Sequence, residues 1–360
     1  MTLTDIRLVA ETGDNAFWIA DDEYGNVVVG GHRFIRFLAG SLATRTEDSP
    51  KGLVGEFIGN FVLTIHPDSD GPCLSLPGGK RVRLPATAAS GCYGTAYDRS
   101  VQKLYLLTVN SLLEVSLPSM EVKTTRFEHP SDAAYAYYEN VVAKDGCAAT
   151  HSYGLGFWSP RGTFRNDDRQ YCAAAILSPD RLIAAEERKA IDVYDASGRL
   201  LETMEAPPGP IIALDTIDRA PWIAWVEDLA GEPTMGVEPA GRTVTVGDTD
   251  IDLLNVWFEN RVSYAKMLGA DERAVYLGEC SVGPHATIPG AHCVVFGTLE
   301  GTLVLWETQT HEVETFELPS EESRRNPRIV SLLWCEPRQL LFIGTRDGGV
   351  YTARIERGRY

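Results

Sequence analysis

Residues 293–307 read CVVFGTLEGTLVLWE. An apolar run from Cys293 to Phe296 stops at Gly297, a short polar turn ends in Gly301, and a second apolar run covers Leu303 to Trp306. Two apolar runs around a Gly-containing turn are the side-chain signature of a β-hairpin. Forty-seven residues further on the pattern returns as LLFIGTRDGGVYT, with Gly344, Thr345 and Gly348 at the positions of Gly297, Thr298 and Gly301. A hairpin recurring at that period points to a radial repeat.

The same shape keeps appearing along the rest of the chain. AFWIAD (16–21) leads into NVVVGG (26–31), FVLTI (61–65) into CLSLPGG, KLYLLT (103–108) into LLEVSLP, and GCAATHS (146–152) into GLGFWSP. RLIAAE (181–186) then leads into AIDVYD, and PWIAWV (221–226) into TMGVEP. The last copy runs from RIVSLLW (328–334) to GVYTARIE. Second-strand centres fall near 28, 75, 115, 157, 193, 237, 304 and 351, and most intervals match the roughly 40–50 residues of a four-stranded propeller blade. Short strands, regular turns and the lack of helical periodicity exclude an α/β architecture. One four-stranded sheet cannot bury both faces, so such sheets stack around an axis.

The expected fold is therefore all-β, a β-propeller of seven or eight four-stranded blades spanning 1–360 as a single domain. The hairpin count gives eight. The last copy stops a strand short, and residues 4–10 (TDIRLVA) are the expected source of the missing strand, closing the ring by pairing the two ends of the chain.

These residues resemble the WD-repeat and wider β-propeller superfamily. Leu303-Val304-Leu305-Trp306-Glu307 looks like the Trp-Asp ending of such a repeat with Glu for Asp, and Val193-Tyr194-Asp195 is a further variant. The Gly-His pair that opens a WD repeat is absent from most copies, which marks a divergent propeller. The resemblance implies a rigid ring whose faces and wall hold protein partners.

Composition bounds the function. The 360 residues carry a net charge of −17 and a pI near 4.9, which argues against a protein that tracks a nucleic-acid backbone. The stretch from Arg324 onward is locally basic, with eight Arg against Glu336, Asp347 and Glu356. That bias is expected to protect strand edges from pairing. Mean hydropathy is −0.13 and no apolar run approaches the ~18 residues of a membrane span. The opening MTLTDIRLVAETGDN has neither a basic start nor an apolar core, which predicts against secretion. The seven cysteines (73, 92, 147, 172, 280, 293, 335) are scattered and odd in number, so unpaired thiols and a cytoplasmic location are expected.

The longest interval, between centres 237 and 304, predicts an insertion at about 252–292. Trp257, Tyr264, Met267 and His285 are the candidate partner-binding residues on it, because aromatic and Met side chains on a surplus loop are typical contact anchors. If 253–258 is the inner strand of its blade, the surplus forms a loop after it; if 273–279 is that strand, the surplus joins two blades. The first register is preferred, because Leu253, Val256 and Phe258 form an apolar run.

Metal and catalytic patterns are weak. Asp248, Asp250, Asp252 and Glu259 imitate a calcium loop but place Leu253 where its Gly belongs. Asp68-Ser69-Asp70-Gly71 is explained as a hairpin turn. Cys280, His285, His292 and Cys293 offer zinc-binding atoms at a spacing that matches no short zinc motif. His151 and Ser152 are adjacent and so point to opposite faces of a strand. No nucleophile elbow or phosphate loop is present. The leading expectation is a non-catalytic protein-interaction scaffold without cofactor or metal. The alternative is a propeller that binds a small molecule, or a metal-assisted hydrolase or lyase, working at the central channel.

Overall fold

The computed structural model describes residues 1–13, 15–16, 18–22, 24–31, 34–38, 45–48, 54–58, 61–65, 73–75, 81–83, 92–108, 111–117, 119, 121–127, 138–228, 235–246, 249–258, 261–269, 273–319 and 328–356. Of these, 34–37, 45–83, 92–93, 138–139 and 235–258 are described as backbone only. The calcium-like pattern therefore falls partly outside the described residues, at Asp248 and Glu259, as do Asp68 to Gly71 and Arg324–Arg325.

Among the described residues the strands form eight four-stranded antiparallel sheets and one separate two-stranded sheet. Strand β1 (Thr2–Glu11) precedes the first blade. That blade is β2 (Trp18–Asp21), β3 (Val27–Gly30), β4 (Phe34–Leu38) and β5 (Arg45–Asp48), hydrogen-bonded in chain order. The second holds β6 (Val54–Ile58), β7 (Phe61–Ile65), β8 (Cys73–Ser75) and β9 (Arg81–Arg83). The third is β10 (Cys92–Asp98), β11 (Lys103–Thr108), β12 (Ser111–Ser116) and β13 (Glu121–Arg126). The fourth comprises β14 (Tyr138–Lys144), β15 (Cys147–Ser152), β16 (Leu155–Ser159) and β17 (Gly162–Asn166). In the fifth are β18 (Ala173–Ser178), β19 (Arg181–Glu186), β20 (Ala190–Asp195) and β21 (Leu200–Glu205).

The sixth blade departs from the pattern. It begins with β22 (Ile211–Ile217) and β23 (Ala220–Asp228), after which the chain leaves as a hairpin of β24 (Met235–Val246) and β25 (Thr249–Phe258). It re-enters as β26 (Arg261–Met267), which pairs with β23, and finishes with β27 (Val275–Gly278). The seventh is β28 (Val282–Ile288), β29 (Cys293–Thr298), β30 (Thr302–Glu307) and β31 (Val313–Glu317). The last contains β32 (Ile329–Cys335), β33 (Leu340–Thr345) and β34 (Gly349–Glu356), and takes β1 as its fourth strand. Leu3 stands opposite Ile355 and Leu8 opposite Tyr351, with a bulge where Asp5 adopts φ 52°. The pairing of the chain's two ends is thus observed. The first strand of each blade packs against that of the next, and β32 in turn packs against β2.

The surplus chain lies elsewhere than the sequence spacing places it. The run around Val237 belongs to β24, outside the blade, and the third strand of the sixth blade is β26. Residues 229–260 are the insertion. Residues 261–292 supply two strands of the sixth blade, the inner strand of the seventh and the turn after it. Neither expected register holds: 253–258 is the second arm of the hairpin, and 275–278 is an outer strand. The apolar run that looked like a blade's inner strand pairs instead with its own hairpin partner, Val256 opposite Val237 and Leu254 opposite Pro239.

The core lies between blades. Trp222, Phe296 and Trp306 join the sixth blade to the seventh, while Ile183, Val193, Ile223 and Trp225 join the fifth to the sixth. The repeat glycines sit at further seams of the same kind, Gly297 between the seventh and eighth blades and Gly344 where the eighth meets Ala16. A Cβ on Gly297 would lie 2.3 Å from Ile329 Cγ2 of the next blade, and one on Gly344 would meet Ser331 Oγ at 2.3 Å and the Ala16 carbonyl at 2.8 Å. Gly301 and Gly348 both turn at φ +88°, which L side chains resist. Thr298 Oγ1 accepts from Thr302 N (3.0 Å), and Thr345 Oγ1 donates to the Gly349 carbonyl (3.0 Å), clamping the same turn twice.

Candidate functional site

The sixth blade carries the insertion, and its two faces differ. Side chains alternate along a strand, so Trp222 and Ala224 turn toward the seventh blade while Ile223 and Trp225 turn toward the fifth. Trp225 stands opposite Tyr264, which stands opposite Tyr276. The three rings form one row across β23, β26 and β27. Trp225 and Tyr264 stack at 5.5 Å and 21°, and Tyr276 meets Tyr264 edge-on at 5.7 Å and 61°. The row runs outward from buried Trp225 to Tyr276, which is 48% exposed. Trp225 Nε1 donates to Glu227 Oε1 (2.7 Å), and Arg261 pairs with Asp228 at 3.1 Å where the hairpin leaves the blade.

On the other face lies a polar group near the central axis. Asp215 on β22 accepts from Thr216 N (2.7 Å) and from Thr287 Oγ1 on β28 (3.1 Å), with His285 Nε2 at 3.6 Å. Partial burial alone would raise the Asp215 carboxyl, but His285, Thr216 and Thr287 outweigh it and hold it below its ordinary value. His285 also meets the edge of Trp222 at 5.1 Å. A second Asp–His contact, Asp218 to His292 Nδ1 at 2.6 Å, joins the turns that follow these two inner strands. Lys144, from the fourth blade, donates to Thr216 Oγ1 of the sixth (2.6 Å), and Arg99, from the third, pairs with Asp21 of the first. Each of these bridges spans one intervening blade.

The four sequence candidates do not share a loop. Trp257 lies on β25 opposite Gly236. Tyr264 is the middle ring of the row. Met267, opposite Trp222, packs against the cluster between the sixth and seventh blades, and His285 borders the same tryptophan. The zinc-like set is split: Cys293 is fully buried in β29, Cys280 is buried with its carbonyl accepting from Ser263 Oγ (2.6 Å), and the two histidines face different aspartates. Among the described residues no three of His, Cys, Asp or Glu converge as a metal ion requires. Burial pushes Cys280 up to about 11 and Cys293 up to about 12, which makes both poor nucleophiles. His151 is buried with Nδ1 on the Tyr171 carbonyl (3.3 Å), and burial lowers it to about 4.

Sequence reasoning missed Trp225, Tyr276, Asp215 and Lys144 as site residues. Period-2 alternation over Ile223, Trp225 and Glu227 marks a shared face, but only the β23–β26 pairing shows which aromatic residues complete the row.

No protein-family model matches the chain, and no curated protein matches it. Solved structures do. The chain is similar to the WD40 β-propeller domain of Doa1, with 12% identity and a TM-score of 0.54 over 98% of each chain. It is also similar to the WD40 repeats of RRP9, with 10% identity and a TM-score of 0.56 over 99% of this chain and 100% of that one. At such identities the likeness shows the fold, which is that of a WD-repeat-like β-propeller.

Proposed function

We propose that the protein is a non-catalytic interaction scaffold whose docking region centres on the sixth blade. The observation that carries this reading is the hairpin β24–β25. It interrupts a blade that is complete without it, since Asp228 and Arg261 are already direct neighbours in the β23–β26 pairing. The insertion that carries it, residues 229–260, spans 32 residues, and its two strands pair with each other and with no blade strand among the described residues. The general use of WD40 propellers as protein-interaction platforms supports the reading at the level of fold. The described thiols and the acidic charge fit a reducing, intracellular setting, which we include in the proposal.

The test replaces residues 229–260 with a four-residue Gly/Ser turn and compares proteins captured from the native host by each form. Partners lost by the variant while its melting temperature is kept support the scaffold. An unchanged set of partners refutes the role of the hairpin.

A further inference from the structure

The wall between the fifth and sixth blades has a chemistry of its own. The aromatic row Trp225–Tyr264–Tyr276 borders the seam between the two blades, because Trp225 and Tyr264 pack in the cluster that also holds Ile183, Ile191 and Val193 of the fifth blade. From the fifth blade, β21 borders the same seam. Met204, opposite Ile191, packs against that cluster, and Glu202 stands opposite Val193, which puts Glu202 on the same face. Both Glu202 and Tyr276 are exposed. Glu279 follows β27 and acts on Tyr276: partial burial first, then the charge of Glu279, raise the phenol above its ordinary value. Among the described residues neither Glu202 nor Glu279 has an ion-pair partner. Glu227 closes the end of the row nearest the hairpin, and Lys266, opposite Ile223, bounds the other end.

Exposed aromatic rings flanked by unpaired carboxylates attract cations, through the ring quadrupole and through charge. The net charge of −17 steers the same class of partner toward the surface. We infer that the exposed surface of this seam binds a Lys- or Arg-bearing segment of a partner protein, with a cationic side chain laid over Tyr276 and held by Glu202 and Glu279. This inference rests on the scaffold reading but names a different surface from the hairpin.

A fluorescein-labelled peptide, Gly-Arg-Lys-Arg-Lys-Gly, titrated against the full chain by anisotropy, tests it. Binding is expected to weaken at least tenfold in Tyr276→Ala, to be kept in Tyr276→Phe, and to weaken about fivefold in the double variant Glu202→Gln/Glu279→Gln. Asp180→Asn with Glu187→Gln removes equal charge from turns elsewhere and is expected to change nothing. No binding, equal loss in both charge variants, or undiminished binding of a norleucine-substituted peptide overturns the inference. Circular dichroism of each variant separates lost binding from lost fold, and Tyr276→Lys on the same exposed position gives a second loss-of-binding variant should Tyr276→Ala unfold. A failed peptide assay together with partners lost on hairpin removal would sink the inference and leave the scaffold standing. Peptide binding that follows this pattern with partners unaffected by hairpin removal would uphold the inference and refute only the role of the hairpin.

Discussion

Gly297 and Gly344 occupy the same place in two blades and answer the same steric demand. Each leaves room where a Cβ would crowd the adjoining chain, 2.3 Å from Ile329 Cγ2 of the next blade at Gly297 and 2.8 Å from the Ala16 carbonyl at Gly344. Gly297→Ala and Gly344→Ala are therefore expected to cost about 1–3 kcal/mol each, as overpacking does, and to lower the thermal midpoint by several degrees in calorimetry. A value within half a degree of the parent for both would contradict the seam. These glycines were legible in the sequence as a repeat, but their reason was not, because the atoms they avoid lie on other strands: Ile329 for Gly297, and Ser331 together with Ala16 at the other end of the chain for Gly344. His151 is a second case. Its pKa is lowered from 6.5 to about 4 by burial, so between those values the unfolded chain takes up a proton that the native state refuses. Stability from this group is complete above pH 6.5 and lost as the pH falls toward 4, by about 3 kcal/mol in all. His151→Phe should flatten the dependence of urea-derived stability on pH by close to one proton over that window. Asp215, whose folded value is depressed, gives stability that is full above its unfolded value near 4 and is lost only as the pH falls below it, so it does not mask the effect. An unchanged slope in the variant would place the titration elsewhere.

At the scale of elements, strand identity was largely readable and strand partnership was not. The runs at 16–21, 103–108, 181–186 and 221–226 each lie within or around a strand, because apolar alternation between turns is a local property. The insertion was displaced because β24 and β25 carry the same alternation as blade strands, and spacing alone cannot tell a hairpin that pairs with itself from one that pairs with a blade. Tyr264 was singled out for exposure on a surplus loop, whereas it lies within a blade strand. Replacing 262–290 with a linker removes β26, β27 and β28, strips two outer strands from one blade and the inner strand from the next, and should leave protein that neither melts cooperatively nor stays in solution. Replacing 229–260 keeps every pairing of the sixth blade, because a tight turn can join Asp228 to Arg261 where they are already register partners. Its melting temperature should stay within a few degrees of the parent. The opposite ranking of the two deletions in differential scanning calorimetry would mean that the hairpin, and not β26–β28, completes the blade.

For the whole molecule, stability depends on how the eighth blade gets its fourth strand. Nearest-neighbour seams carry a repeat fold, and a terminal repeat with an unpaired edge is its weak point. Here β1 supplies the missing edge through its pairing with β34, and Thr12 N extends the join by donating to the Gly348 carbonyl (2.9 Å). Leu3 is buried in the cluster that also holds Ile343, Tyr351 and Ala353, and Ala10 is buried in the cluster with Phe342 and Val350. Removing residues 1–10 would uncover both sets and leave the outer backbone groups of β34 unpaired. Burying Leu3 alone is worth about 2 kcal/mol, and the lost ladder adds to it. The truncated protein should melt well below the full chain, by ten degrees or more, and should aggregate in light scattering before the full chain does. Adding a synthetic peptide of residues 1–11 in excess should restore part of the midpoint, since the strand then binds as a ligand of the native state. A truncated chain as stable as the parent, or one the peptide does not rescue, would show that the pairing of the two ends is not what holds the blades together.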